Sequence, residues 1–238
     1  MNWETVDAAL FDLDGVLTPT AEVHMRAWEV MFSRFLESLE EEHEPYTDED
    51  YFAHVDGRPR YEGVAAFLES RGIELPHGEP SDLPGEQTVS GLGNRKNDVF
   101  LEILATEGIQ VYPGSLKLLD HLRTVGTAVA VVSSSRNAHQ VLRTAGLSPR
   151  FTVVVDGTLA VQEGIPGKPR PDTFVYAAQQ LGVDPARAVV IEDAVSGVQA
   201  GAAGGFAAVV GVDRGVGEDA LRDAGATQVV EDLAELVP

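Results

Sequence analysis

The chain has 238 residues, 44% of them apolar, enough to bury a core in one large domain or two modest ones. Its 38 acidic side chains against 17 basic ones give a formal charge of −21, which argues against a nucleic-acid or anionic-membrane partner because phosphate-rich surfaces reward the opposite sign. There is no cysteine, so disulfides, thiolate nucleophiles and cysteine-held metal centres are excluded, and Met1-Asn2-Trp3-Glu4-Thr5 has no basic stretch ahead of an apolar one, so a soluble cytoplasmic protein is expected.

In chain order, the apolar run Ala8 to Phe11 predicts a strand, and Asp12-Leu13-Asp14-Gly15 follows it directly. Side chains alternate along a strand, so Asp12 and Asp14 lean to the same side if extended geometry persists through Leu13. Two crowded carboxylates call for a cation, and oxygen ligands suit a hard ion such as Mg²⁺, which keeps waters and substrate phosphate in the rest of its shell. A solvated aspartate-rich turn is the other reading of this segment alone.

From Pro19 to Gly108 the periodicity becomes helical. Trp28, Met31, Phe32, Phe35 and Leu39 share one face of a first helix, Tyr61, Val64, Ala65 and Leu68 that of a second, and Val99, Ile103 and Leu104 that of a third. The acidic stretch 37–50 and the Gly/Pro-rich stretch 76–93 are read as loops. Beyond residue 108, strand-like runs at 128–132, 152–155, 188–191, 207–210 and 228–230 alternate with helical segments at 116–125, 138–145, 173–181, 197–203 and 219–224. This alternation predicts an α/β fold: a doubly wound, Rossmann-like parallel sheet whose strands are buried on both faces. The expected division is an α/β core of residues 1–18 and 109–238 and an all-helical cap domain of residues 19–108. Ligands of such sheets bind beyond the carboxyl ends of the strands, so an insert leaving after the first strand is expected to act as a lid.

Three further polar groups fall at such ends. Ser133 follows 128–132 and is either a helix cap or a phosphate donor. Lys168 lies in Gly167-Lys168-Pro169-Arg170, where a lone lysine is usually solvated. Glu192-Asp193 ends a fully apolar run, where two acids without a partner would be costly.

Taken in order, Asp12-Leu13-Asp14-Gly15, Ser133, Lys168 and Glu192-Asp193 resemble the haloacid-dehalogenase-like superfamily of phosphoryl-transfer enzymes, and most closely its β-phosphoglucomutase-like subfamily with a helical cap. The resemblance implies Asp12 as nucleophile, Asp14 as acid/base, and Ser133 and Lys168 as stabilisers of the transferring phosphoryl group. It implies Mg²⁺ held by Asp12, the carbonyl of Asp14 and Asp193, with Glu192 beside it. Thr20, His24 and Trp28 resemble the family's opening cap helix, Gly57 and Arg60 its phosphate-gripping loop, Lys96 and Asn97 a second cap contact, and Ser134, Ser135, Arg136 and Asn137 the matching core loop. By its residue type alone Trp28 reads first as core, and His24 equally as a satisfied polar residue. Asp56 stands where a lysine is expected, and Pro19 replaces an acidic residue. The implied activity is Mg²⁺-dependent phosphomutation of a small phosphorylated sugar by a monomer, the alternatives being a sugar-phosphate phosphatase and a silent sugar-phosphate-binding protein.

Overall fold

Fully apolar runs of four or five residues need cover on both sides, as a parallel sheet between helices provides, and that is where they are found. The computed structural model describes residues 1–41, 43–55 and 58–238. By internal contacts the chain divides into two compact units, Met1–Thr20 with Ile109–Pro238, and Ala21–Gly108.

In the first unit, β1 (Ala8–Phe11), β2 (Ala128–Val132), β3 (Val153–Val155), β4 (Ala188–Glu192), β5 (Ala208–Val212) and β6 (Gln228–Val230) form one parallel sheet in the order β3-β2-β1-β4-β5-β6. Ala8 pairs with both Ala128 and Ala188, so β1 is central. From β1 the chain winds outward one way to β3 and then returns beside β1 to wind the other way, so the winding reverses between β1 and β4. Such a reversal opens a crevice at the strands' carboxyl ends. One sheet face, with Leu10, Ala130, Val190 and Val209, packs against Phe174, Ala177, Val198 and Leu221 of α8 (Asp172–Leu181), α9 (Val195–Ala203) and α10 (Glu218–Asp223). α5 (Pro113–Val125) packs against β2, and α6 (Ala138–Thr144) and α7 (Gly157–Gln162) complete the unit.

The second unit contains α1 (Thr20–Glu37) from Ala21 onward, α2 (Asp48–Asp50), α3 (Arg60–Ser70) and α4 (Val89–Glu107). Its core is aromatic: Phe32 lies 4.0 Å from Phe67, 5.1 Å from Tyr46 and 5.4 Å from Trp28, centroid to centroid.

Several expected boundaries shift. The edge strands β3 and β6 are only partly buried, each having a single neighbouring strand. Thr152 and Ala207 are exposed and precede their strands. Leu39 lies beyond the end of α1, half-buried in a bend. The stretch read as an acidic loop contains α2, whose capping box joins Thr47 and Asp50 and leads into a π-helical turn, Tyr51–Val55. The Gly/Pro-rich loop ends at Thr88, whose hydroxyl accepts the Gly91 amide and starts α4 five residues early. α7 was not expected; Asp156 caps it by accepting the Thr158 and Leu159 amides. Glu42, Asp56 and Gly57 lie outside the described residues, and with them the expectations placed on Asp56 and Gly57.

Candidate active site

The pairing of β1 with β4 runs one residue past the strand, where the Asp12 amide donates to the Ile191 carbonyl at 2.9 Å. Extended geometry stops there. The chain bends at Leu13, and the Leu17 and Thr18 amides both return to the Leu13 carbonyl, at 2.9 and 3.1 Å. Asp12 and Asp14 are therefore brought together by a turn rather than by strand alternation. Gly15 permits that turn with φ of +80°, a left-handed conformation that side chains disfavour. A β-carbon at Gly15 would also overlap the Asp193 carboxylate, which lies against it from the end of β4.

Lys168 reaches the carboxyl ends of β1, β2 and β4. Its ammonium donates to Asp12 Oδ1, to Glu192 Oε1 at 2.6 Å and to the Val132 carbonyl at 3.1 Å, which places all three of its protons. The other oxygen of Glu192 accepts the Ala194 amide at 2.7 Å, so this almost fully buried carboxylate is satisfied from both sides. Asp14 sits opposite: Thr20 donates to its Oδ1 and Ser133 to its Oδ2 at 3.4 Å. Ser133 also accepts the Ser135 amide at 3.1 Å, a local turn rather than a cap, since α6 begins only after Asn137. Thr20, expected among the cap contacts, is fully buried on Asp14.

Burial dominates the electrostatics. It drives Asp12 upward against the pull of Lys168, with Glu192, Asp14 and Asp193 adding to the rise. It raises Asp14 against the hydroxyl of Thr20. Asp193 is pushed up to about 7 by burial and then by Glu192 and Asp14. For Lys168, burial favours the neutral amine, but Asp12 and Glu192 outweigh it and hold the ammonium above its ordinary range. Four carboxylates thus crowd one buried ammonium. Among the described residues, no three acidic or histidine side chains close a metal site by themselves.

Ser134 and Arg136 are exposed, and Ser135 and Asn137 half-buried, in the loop after β2; the Ser135 hydroxyl accepts the Asn137 amide at 3.1 Å. The remaining expected residues belong to the helical unit and form their own cluster. The buried Lys96 ammonium meets His24 Nδ1 at 2.6 Å and lies 5.0 Å from the Trp28 ring centroid. His24 stacks on Phe100 at 4.2 Å. Burial, and then Lys96 and Arg60, hold its imidazole well below the usual range, so it is neutral at pH 7 and its Nδ1 accepts a hydrogen bond from the lysine ammonium. Arg60 donates to Asn97 at 2.8 Å, joining α3 to α4. Trp28 is core: it is 6% exposed and stacked on Phe32.

Sequence reading passed over Arg214, whose Nε donates to the Gly15 carbonyl at 2.8 Å. The available signal was a cation just beyond the apolar run 208–212, which none of the motifs carrying the resemblance includes.

A family model described as haloacid dehalogenase-like hydrolase matches residues 6–205. A β-phosphoglucomutase of Mycobacterium tuberculosis is 50% identical to the chain, over 98% of it and 92% of the relative. A phosphorylated carbohydrates phosphatase of Thermotoga maritima is 30% identical over 95% and 94%. The structure of CbbY from Rhodobacter sphaeroides in complex with phosphate superposes with a TM-score of 0.73 at 26% identity, covering 98% of this chain and 96% of that one. Among the described residues, no helix is long and apolar enough to cross a membrane.

Proposed function

The chain belongs to the haloacid dehalogenase-like hydrolase family, and from that premise we propose that it transfers the phosphoryl group of a sugar phosphate through an aspartyl phosphate on Asp12, as a phosphomutase of the β-phosphoglucomutase type. The observation that carries this reading is the pair of aspartates held in unlike surroundings, Asp12 on the Lys168 ammonium and Asp14 between two hydroxyls. Unlike environments let two carboxyl groups take unlike roles.

Asp12 attacks phosphorus with a carboxylate oxygen, and the bond from phosphorus to the sugar oxygen breaks in line. Asp14, whose hold on a proton is strengthened by burial, gives its proton to the departing oxygen. The resulting carboxylate then takes the proton of the accepting hydroxyl as that oxygen attacks the phosphoryl group on Asp12. Lys168 and Ser133 stabilise the charge that spreads over the phosphoryl oxygens.

The donor set fits a hard divalent cation: Asp12, Asp193 and the Asp14 carbonyl are oxygen ligands whose crowded charge lacks a matching number of cations. Glu192, tied to Lys168 and Ala194, serves better beside that set than in it. Mg²⁺, when bound, would screen the repulsion between an anionic nucleophile and an anionic phosphoryl group.

In the helical unit, Arg60 with Asn97 and Lys96 with His24 supply the polar groups suited to a second phosphate and a sugar hydroxyl. They favour mutation over simple hydrolysis, because a mutase must hold a bisphosphate at both ends. The phosphatase relative supports hydrolysis as the second reading.

Incubation with Mg²⁺, β-glucose 1-phosphate and a trace of glucose 1,6-bisphosphate is expected to give glucose 6-phosphate; release of inorganic phosphate alone would select the second reading. Asp12→Asn is expected to remain folded and to lose at least about 10³-fold in kcat. Undiminished turnover by that variant would remove Asp12 as the nucleophile.

A further inference from the structure

The turn that carries Asp14 is gripped by donors from distant sequence at three consecutive carbonyls. Arg214 Nε takes that of Gly15 at 2.8 Å, Ser115 Oγ that of Val16 at 2.7 Å, and the Tyr112 amide that of Leu17 at 3.0 Å. Tyr112 and Ser115 come from the start of α5, which needs such partners for its own end. Arg214 comes from the loop after β5.

That loop is built to hold it. Asp213 accepts the Gly215 and Gly217 amides at 2.8 and 3.0 Å, and its own amide donates to the Val230 carbonyl at 2.8 Å. The Arg214 guanidinium lies 3.9 Å from the Tyr112 ring centroid, and Nη1 donates to the Glu231 carbonyl at 3.1 Å. Nη2 is buried with no hydrogen-bond partner among the described residues. A buried, unsatisfied donor is costly, so stability alone is a poor reason for an arginine here.

We propose that Arg214 is a positioning residue for phosphoryl transfer: by gripping the Gly15 carbonyl, it holds the Asp14 carboxylate in reach of the oxygen that leaves Asp12's target. This rests on the reading of Asp12 and Asp14 given above. Gly15 is the residue most in need of such a grip, because its left-handed backbone is flanked by the Asp193 carboxylate and has no side chain to anchor it. A slackened turn moves the Asp14 carboxylate away from the reacting oxygen, and with Mg²⁺ held at saturation, so that the Asp14 carbonyl keeps its metal, the loss falls on kcat. Misplacement by about an ångström is worth up to about 10²-fold.

The test compares wild type, Asp12→Asn, Arg214→Ala and Arg214→Met with β-glucose 1-phosphate, a trace of glucose 1,6-bisphosphate and saturating Mg²⁺, following kcat, KM and the melting temperature. Arg214→Met keeps a stem over Tyr112 and so guards against a variant that fails to fold. The expected result is a fall in kcat of about 10- to 100-fold in both Arg214 variants, with KM within about twofold of wild type. Millimolar guanidinium is expected to restore part of the kcat of Arg214→Ala without raising its melting temperature, which a purely structural role would not produce. Wild-type kcat in a folded Arg214 variant, or a loss confined to KM, overturns the proposal while leaving the roles of Asp12 and Asp14 intact. An inactive wild type, or an active Asp12→Asn, overturns the underlying reading and this proposal with it.

Discussion

Asp14 and Thr20 show how a single hydroxyl can tune an acid. Burial raises the Asp14 pKa, and the Thr20 hydroxyl opposes the rise by donating to the charged carboxylate. In Thr20→Val that opposition is gone and the protonated form persists to higher pH. The first chemical step needs Asp14 protonated, so the basic limb of kcat/KM is expected to move to higher pH; an unmoved or lowered limb would contradict the role given to Asp14. Asp12 and Asp14 stood out in the sequence because two acids rarely follow an apolar strand without a purpose. Thr20 was read as a contact to substrate, since nothing in the order of residues says that the chain turns back from Thr18 to bury that hydroxyl on Asp14. The partner of Arg214 was hidden for the same reason: Gly15 lies 199 residues away along the chain.

Among the elements, α9 shows two local preferences in conflict. Alanine is favoured over glycine inside a helix by about 1 kcal/mol, yet α9 keeps Gly197. A β-carbon there would overlap the Glu192 side chain, which is buried between Lys168 and the Ala194 amide. Overpacking costs about 1–3 kcal/mol and outweighs the helical gain. Gly197→Ala is therefore expected to lower stability in urea unfolding and to lower kcat by at least about tenfold, as Glu192 shifts and Lys168 loses an acceptor. A variant as stable and as active as wild type would show that Glu192 has room to move. Strands and helices were largely legible, because continuous apolar runs and period-3.6 burial are written in consecutive residues. The errors fell where capping decides: Thr88 starts α4 inside a stretch of glycines and prolines, and Asp156 starts α7 where the composition reads as loop.

Over the whole molecule, the acidic balance and the carboxylate cluster act in the same direction. Asp12, Asp14 and Asp193 have folded-state pKa values raised above those of the unfolded chain, Asp193 to about 7. Between about pH 4 and pH 7 the folded protein without metal holds protons that the unfolded chain has released, so its stability falls as pH rises through that window. The net charge of −21 adds self-repulsion over the same range. A divalent cation that binds only the folded state adds about 2.7 kcal/mol at a hundred times its Kd. Melting in EDTA is expected to be lower at pH 7.5 than at pH 5, and Mg²⁺ to raise it chiefly at pH 7.5; a metal-independent melting curve would remove the cation from the site. The amino-acid order by itself determined the doubly wound sheet and the helical insert, because burial periodicity and strand–helix alternation are local and admit few topologies. It also determined which charged residues end which strands. Tertiary structure alone decided that Lys168 joins Asp12 to Glu192, that Asp193 lies on Gly15, and that Arg214 grips the same turn. Those contacts depend on strands distant in the chain becoming neighbours, and strand order is set by the packing of the sheet as a whole rather than by any one segment.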